Sequence, residues 1–164
     1  MSYIAIALIS SVTALVFGIG LFYLSKYIDK RVTRQGDLNN FKDELKYNML
    51  LLDFFGKNVE EVLLVMQRKA EDFPSFDFSR IEETFFSRCL RQGSLYTCLS
   101  HEEIFSLSRI YSSLSKERQK MLETYVADAF TKKSTPQKVE AYYLTAQKQF
   151  FRHRDTLQSL LQKL

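Results

Sequence analysis

Residues 37–66 read DLNNFKDELKYNMLLLDFFGKNVEEVLLVM, and the spacing of their apolar side chains decides the fold. Leu38, Phe41, Leu45, Met49 and Leu52 recur at intervals of three and four, the signature of an amphipathic helix. Val59, Val62, Leu63 and Met66 carry the stripe on until Phe73-Pro74 stops it, because proline lacks a backbone donor and clashes with the preceding turn. Gln35 and Gly36 interrupt the pattern upstream, and Asp37 is the expected N-cap. Gly56, Lys57 and Asn58 are where the helix is expected to break or weaken.

Upstream, residues 3–24 carry no charge at all, and twelve of them are Leu, Ile, Val or Phe. As a helix the run is roughly 33 Å long, against about 30 Å for a hydrocarbon core. The expectation is an uncleaved transmembrane anchor. A cleaved signal peptide would show a basic start, a shorter apolar run and a small-residue cleavage site. Here Met1 and Ser2 carry no basic side chain, and Phe22, Tyr23 and Leu24 occupy the place of that site. Lys26, Lys30, Arg31 and Arg34 follow directly. Their bias puts residues 25–164 in the cytoplasm and the N-terminus outside, and the same four are candidate contacts for anionic lipid headgroups. Ser10, Ala14 and Gly18 recur every four residues and form a candidate helix-packing face for self-association or a second subunit. The expected organisation is an anchor at 1–24, a basic juxtamembrane linker at 25–36 and a cytoplasmic helical domain at 37–164.

Downstream, Ser79 with Glu82 forms a capping-box pattern opening a short helix through Phe85, Phe86 and Leu90, with Gly93 as its stop. Ser100 with Glu103 repeats the pattern. It begins a longer helix through Ile104, Leu107, Tyr111, Leu114, Met121, Leu122 and Tyr125, weakest at Ser112 to Ser115. Thr135-Pro136 starts the last helix, which Tyr142, Tyr143, Ala146, Phe150, Leu157 and Leu161 carry towards Leu164. Only five Gly and two Pro are present, too few turns for a many-stranded sheet. The expected fold is all-α: the membrane helix, then a compact bundle of four or five helices.

A net charge of +4 raises nucleic acid as a partner, so the charges have to be located. Residues 35–115 hold nine basic and thirteen acidic side chains, and residues 116–164 hold ten and five. The remaining surplus lies beside the apolar run. Lys132, Lys133, Lys138, Lys148, Arg152 and Arg154 interleave with Tyr142, Tyr143, Phe150 and Phe151, as single-strand binders do. Those rings also suit a core, and nucleic acid is not the expected partner. Internal pairing with the acidic segment and an acidic partner are the two readings of the basic surplus.

No chemistry is legible. His101 beside Glu102 and Glu103 reads as a first helical turn, and His153 lies between Arg152 and Arg154, a setting that disfavours a metal. Cys89 and Cys98 read as two buried, reduced thiols acting as small hydrophobes. There is no Gly-x-Ser-x-Gly elbow, no phosphate-binding glycine loop and no dinucleotide fingerprint. Glu60-Glu61, Glu82-Glu83 and Glu102-Glu103 are sequence neighbours, which point about 100° apart on a helix. No catalytic residue, cofactor, metal or small-molecule substrate is expected.

Residues 81–114, with Glu82-Glu83, Phe85-Phe86, Gly93-Ser94-Leu95, Leu99-Ser100, Glu102-Glu103 and Tyr111, resemble a loose class of uncharacterised prokaryotic helical proteins. Many of those carry an N-terminal membrane helix. The resemblance implies helical architecture and no activity. The functional expectation is a non-catalytic, membrane-tethered interaction or scaffold module, or else a single-pass accessory subunit of a larger complex. Membrane lipid and a protein partner, or a second copy, are its expected partners. A peripheral lipid or nucleic-acid binder acting through the basic last helix is the third reading.

Overall fold

The computed structural model describes residues 3–67, 77–114, 119–121, 124 and 136–164, with backbone alone at 3–12, 65–67, 136 and 139. Among the described residues there is no strand. Among the described residues four α-helices have defined bounds: α1 (Tyr3–Gln67), α2 (Thr84–Arg91), α3 (His101–Ser113) and α4 (Pro136–Leu161). Turns of 3-10 helix lie at Phe78–Arg80 and Leu95–Thr97, and residues 119–121 and 124 are helical. The all-α expectation holds. The chain divides into two units, Met1–Asp37 and Leu38–Leu164.

In the first unit every side chain from residue 13 to 33 is exposed. Phe17 is 69% exposed, Tyr23 67% and Val32 66%. The expected membrane helix and single-pass localisation, with residues 25–164 cytoplasmic, are corrected here. Among the described residues no helix is long and apolar enough to cross a membrane. Lys26, Asp29, Lys30 and Arg31 follow the uncharged stretch directly. The side chain of Ser10, and the reading placed on it, lie outside the described residues.

The expected interruption at Gln35-Gly36 is also corrected, because α1 runs through it. One glycine costs a helix only about 1 kcal/mol relative to alanine, and nothing crowds Gly36. Asp37 is therefore mid-helix and buried, not an N-cap.

The second unit closes its own core. Phe41, Leu45, Leu52, Phe55, Val59 and Val62 of α1 are at most 1% exposed. They face Ile104, Leu107 and Ile110 of α3, Tyr143, Phe150 and Leu157 of α4, and Phe86 and Cys89 of α2 in one cluster. Phe55, Phe78 and Phe150 form a triangle with ring centroids 5.4, 5.8 and 5.9 Å apart. The expected break at Gly56 does not occur, and its missing side chain has another use. A Cβ there would stand 2.5 Å from the Phe151 ring of α4, so the glycine lets α4 approach α1.

Local signals set the shorter elements. The Ser100–Glu103 capping box is present, with Glu103 N–H donating to Ser100 Oγ at 3.3 Å and Ser100 N–H to Glu103 Oε2 at 2.8 Å. Gly93 takes φ +72° and ends α2 in a Schellman motif: Ser94 N–H donates to Cys89 O at 3.0 Å and Gly93 N–H to Leu90 O at 3.1 Å. The longer helix expected from Ser100 stops at Ser113 instead, its weak stretch, where Leu114 N–H turns back to Tyr111 O at 3.2 Å. Leu122, Tyr125, Lys132 and Lys133 lie outside the described residues. The Ser79–Glu82 box does not form. Asp77 caps the 3-10 turn by accepting from Ser79 N–H at 3.1 Å, and α2 starts only at Thr84.

Candidate functional site

Three places in the second unit gather polar side chains. The first is a buried knot between α1, α2 and α3. Residues 41, 45, 48, 52, 55, 59 and 62 of α1 alternate steps of four and three, and all are buried. Asn48 is the polar member of that seam. Its Nδ2 donates to Glu82 O at 2.6 Å, and its Oδ1 accepts from Glu82 N–H at 3.0 Å. One turn earlier, Glu44 accepts from Phe85 N–H at 2.7 Å, Phe86 N–H at 3.1 Å and Tyr111 Oη at 3.1 Å. Glu83, the N-cap of α2, makes no side-chain cap bond. The cap of α2 is thus supplied by α1, and the carboxylate also meets the positive end of the helix dipole.

Burial pushes the Glu44 carboxyl above its ordinary value, against the three donors that hold it ionised, and nearby Glu82 adds to the rise. Burial and the Glu44 charge push the Tyr111 hydroxyl up as well. Every oxygen of Glu44 is engaged by the fold, so the knot positions helices: it fixes α2 in register on α1 and α3.

The second place is a cavity of about 40 Å³ at the end of α3, lined by Phe78, Ser113, Tyr142, Phe150 and His153 among others. His153 Nε2 lies 3.0 Å from Ser113 Oγ, which itself donates to Ile110 O at 2.8 Å. With that proton committed, the serine is not poised as a nucleophile, and the pair ties α4 to the end of α3. Burial, then Arg152 and Arg109, lower the His153 pKa.

The third place is an open groove of about 780 Å³ between α3 and α4, lined by Glu102, Glu103, Ser106, Lys148, Arg152 and Asp155 among others. Two of its carboxylates are answered within the fold: Glu103 by Lys163, and Asp155 by Arg154 at 2.8 Å. Lys163 and the Ser100 N–H hold the Glu103 carboxyl down at about 2. Arg154 also bonds Asp53 of α1 at 2.8 Å.

Of the residues singled out in the sequence, Glu102, Glu103, Lys148, Phe151 and Arg152 meet in the groove and Tyr142, Phe150 and His153 at the cavity, while the packing-face and headgroup candidates line none of these places. Ala14 and Gly18 are exposed, with nothing within 4 Å of a Cβ at Gly18. Lys26, Lys30 and Arg31 are exposed, and Lys26 Nζ lies 6.0 Å from the Phe22 ring. Arg34 is half-buried. His101 packs against Tyr96, ring centroids 5.2 Å apart. Both cysteines are free thiols, but the expected burial holds for Cys89 alone, since Cys98 is exposed. Among the described residues no group of three or more His, Cys, Asp or Glu is arranged for a metal ion. Glu44 escaped the sequence reading altogether. Asn48 carried a signal, a polar residue on an apolar seam, which the choice of Met49 passed over; Met49 is only half-buried.

Set against protein-family models, curated proteins and solved structures, the chain matches none of them.

Proposed function

We propose that this chain is a non-catalytic helical interaction module whose N-terminal extension is the docking element. The observation that carries this reading is the exposure of eleven large apolar side chains between Leu15 and Val32, on every side of α1. A helix apolar all round is covered in its working state. Each such side chain gains about 1.5–3 kcal/mol on full burial, so leaving this many in water is costly. The second unit, by contrast, buries one apolar seam of α1 in its own core and leaves large apolar side chains exposed only singly or in small groups, Leu50 and Phe105 among them. A scaffold or accessory subunit of a larger assembly is the specific form of this role.

The test is affinity purification of the full-length chain in mild detergent, with mass spectrometry of what co-elutes. A stoichiometric protein partner, or a defined oligomer of the chain itself, is the expected result. A partnerless monomer that turns over a substrate would overturn the reading.

A second reading has one observation in its favour: the bases Lys26, Lys30 and Arg31 lie among the last of those apolar side chains, with Arg34 just beyond them. Anionic lipid headgroups would then be the partner of these four residues. Flotation of the chain with anionic but not neutral vesicles, lost when all four are changed to Gln, distinguishes it.

A further inference from the structure

We propose that the outer face of α1 around Leu50 pairs with the same face of a second copy of this chain, the two helices antiparallel about a two-fold axis. The inference adds a second surface to the docking element of residues 15–32 and does not depend on it. Opposite the buried seam, Leu50 is 71% exposed, Phe54 49% and Tyr47 36%. A lone exposed leucine is ordinary, but an apolar strip at spacings of three and four is what another helix packs against. The residues of α1 that hold α2 and α4, Glu44 and Gly56, lie more than about 90° around the helix from Leu50, so the face is open.

The arrangement around Leu50 selects the occupant. At about 100° per residue, Tyr47 and Phe54 stand to one side of Leu50, and Lys46 and Asp53 to the other. A two-fold axis perpendicular to α1 at Leu50 reverses the second helix and keeps each side facing its own counterpart. Leu50 then meets Leu50, and Tyr47 meets Phe54 of the second copy, an aromatic pair formed twice. On the other side Lys46 meets Asp53 of the second copy, also twice. Asp43 and Lys57 stand seven residues before and after Leu50, near the centre line of the face, so each Asp43 meets a Lys57. Every contact is self-complementary, as an isologous interface requires. A parallel pair in register would instead set Lys46 against Lys46 and Asp43 against Asp43.

Within one chain Asp43 already bonds Lys46 at 2.7 Å and Lys57 bonds Asp53 at 2.6 Å. These are weak pairs on a single helix, and the side chains of Asp43 and Lys57 stay 72% and 69% exposed. Antiparallel pairing joins them into rows of alternating sign, in which Lys46 and Lys57 each take a carboxylate from the second copy. Such rows fix orientation and register more than they add affinity. One helix face is a small interface, so the dimer is a weak, concentration-dependent one rather than an obligate one.

Sedimentation equilibrium of the full chain carrying F17K/L21K, which removes association through residues 15–32, reads the dimer. L50E, which sets two carboxylates face to face, should weaken it about ten-fold or more. D43K or K57E alone should weaken it less, and D43K/K57E together should restore it, since opposite signs meet again. All these positions are exposed, and circular dichroism verifies the fold. Orientation is read by mild oxidation in a C98S background. There L50C should cross-link to a second copy and N39C should not, because the two Asn39 residues would lie about 33 Å apart. A monomer at every concentration with F17K/L21K would overturn the proposal and leave the docking role of residues 15–32 standing. A dimer indifferent to L50E, or no tighter with D43K/K57E than with either change alone, would overturn it too. So would N39C cross-linking as readily as L50C, the mark of parallel pairing.

Discussion

Two stretches of α1 use the same kinds of side chain to opposite ends. From residue 41 to 62 one seam of apolar residues is buried to 5% exposure or less, while Leu50 and Phe54 stand exposed among polar neighbours on the outer face. From residue 15 to 32 apolar residues surround the helix, and eleven large ones are at least half exposed. What differs is their arrangement. A stripe can be satisfied by α2, α3 and α4 of the same chain; a full circumference needs more neighbours than one small bundle supplies.

The sharpest test of this contrast compares truncations in the two stretches. Phe55→Ala removes one ring of the Phe55–Phe78–Phe150 triangle and should lower unfolding stability by about 3–5 kcal/mol in chemical denaturation. Phe17→Ala, in the exposed stretch, should change it by no more than about 0.5 kcal/mol. Equal effects would erase the distinction.

A second prediction concerns how the seam recruits α2. Glu44→Gln keeps the volume but turns one acceptor oxygen into a donor facing backbone N–H groups. A cost on the order of 3 kcal/mol follows from the buried donors left unpaired. Hydrogen exchange should quicken first at Phe85 and Phe86. Uniform acceleration across the unit would show that Glu44 is not the cap of α2.

At the other end of α2, Gly93→Ala forces a side chain into φ +72° and should cost about 1–2 kcal/mol. Gly36→Ala, in the open interior of α1, should instead stabilise by up to about 1 kcal/mol. Thermal melts of the two variants should therefore move in opposite directions.

The smallest effect is the pH dependence of the α3–α4 tie. The folded His153 pKa lies below its ordinary 6.5, so the unfolded chain takes up the proton first. The stability this residue contributes is complete above pH 6.5 and is lost as pH falls below it. Glu44 acts with the opposite sign: its raised pKa means the folded state binds a proton more readily, so stability rises as pH falls through that value. Comparing His153→Gln with the parent chain between pH 7.5 and 5.5 isolates the histidine, and the variant's melting temperature should fall less on acidification.

Legibility in the sequence followed distance along the chain. The Ser100–Glu103 box, the Gly93 stop and the Pro136 start were readable because each works within a few residues. Ser79–Glu82 carried the same local pattern and failed, because Glu82 is held through its backbone by Asn48, 34 residues away. The Glu44 cap spans 41 residues and left no local trace. Gly56 looked like a breaker because the sequence does not show that Phe151 lies against it. The apolar run of residues 3–24 was plain as composition, while the reading of it as a span did not survive among the described residues.

The central claim is that residues 15–32 of α1 serve association while residues 41–62 serve stability. It is tested most directly by Phe17→Lys/Leu21→Lys in the full chain, with melting temperature and partner co-purification read from the same preparation. The account predicts an unchanged melting temperature and loss of the associated partner. A lowered melting temperature with the partner retained would contradict it.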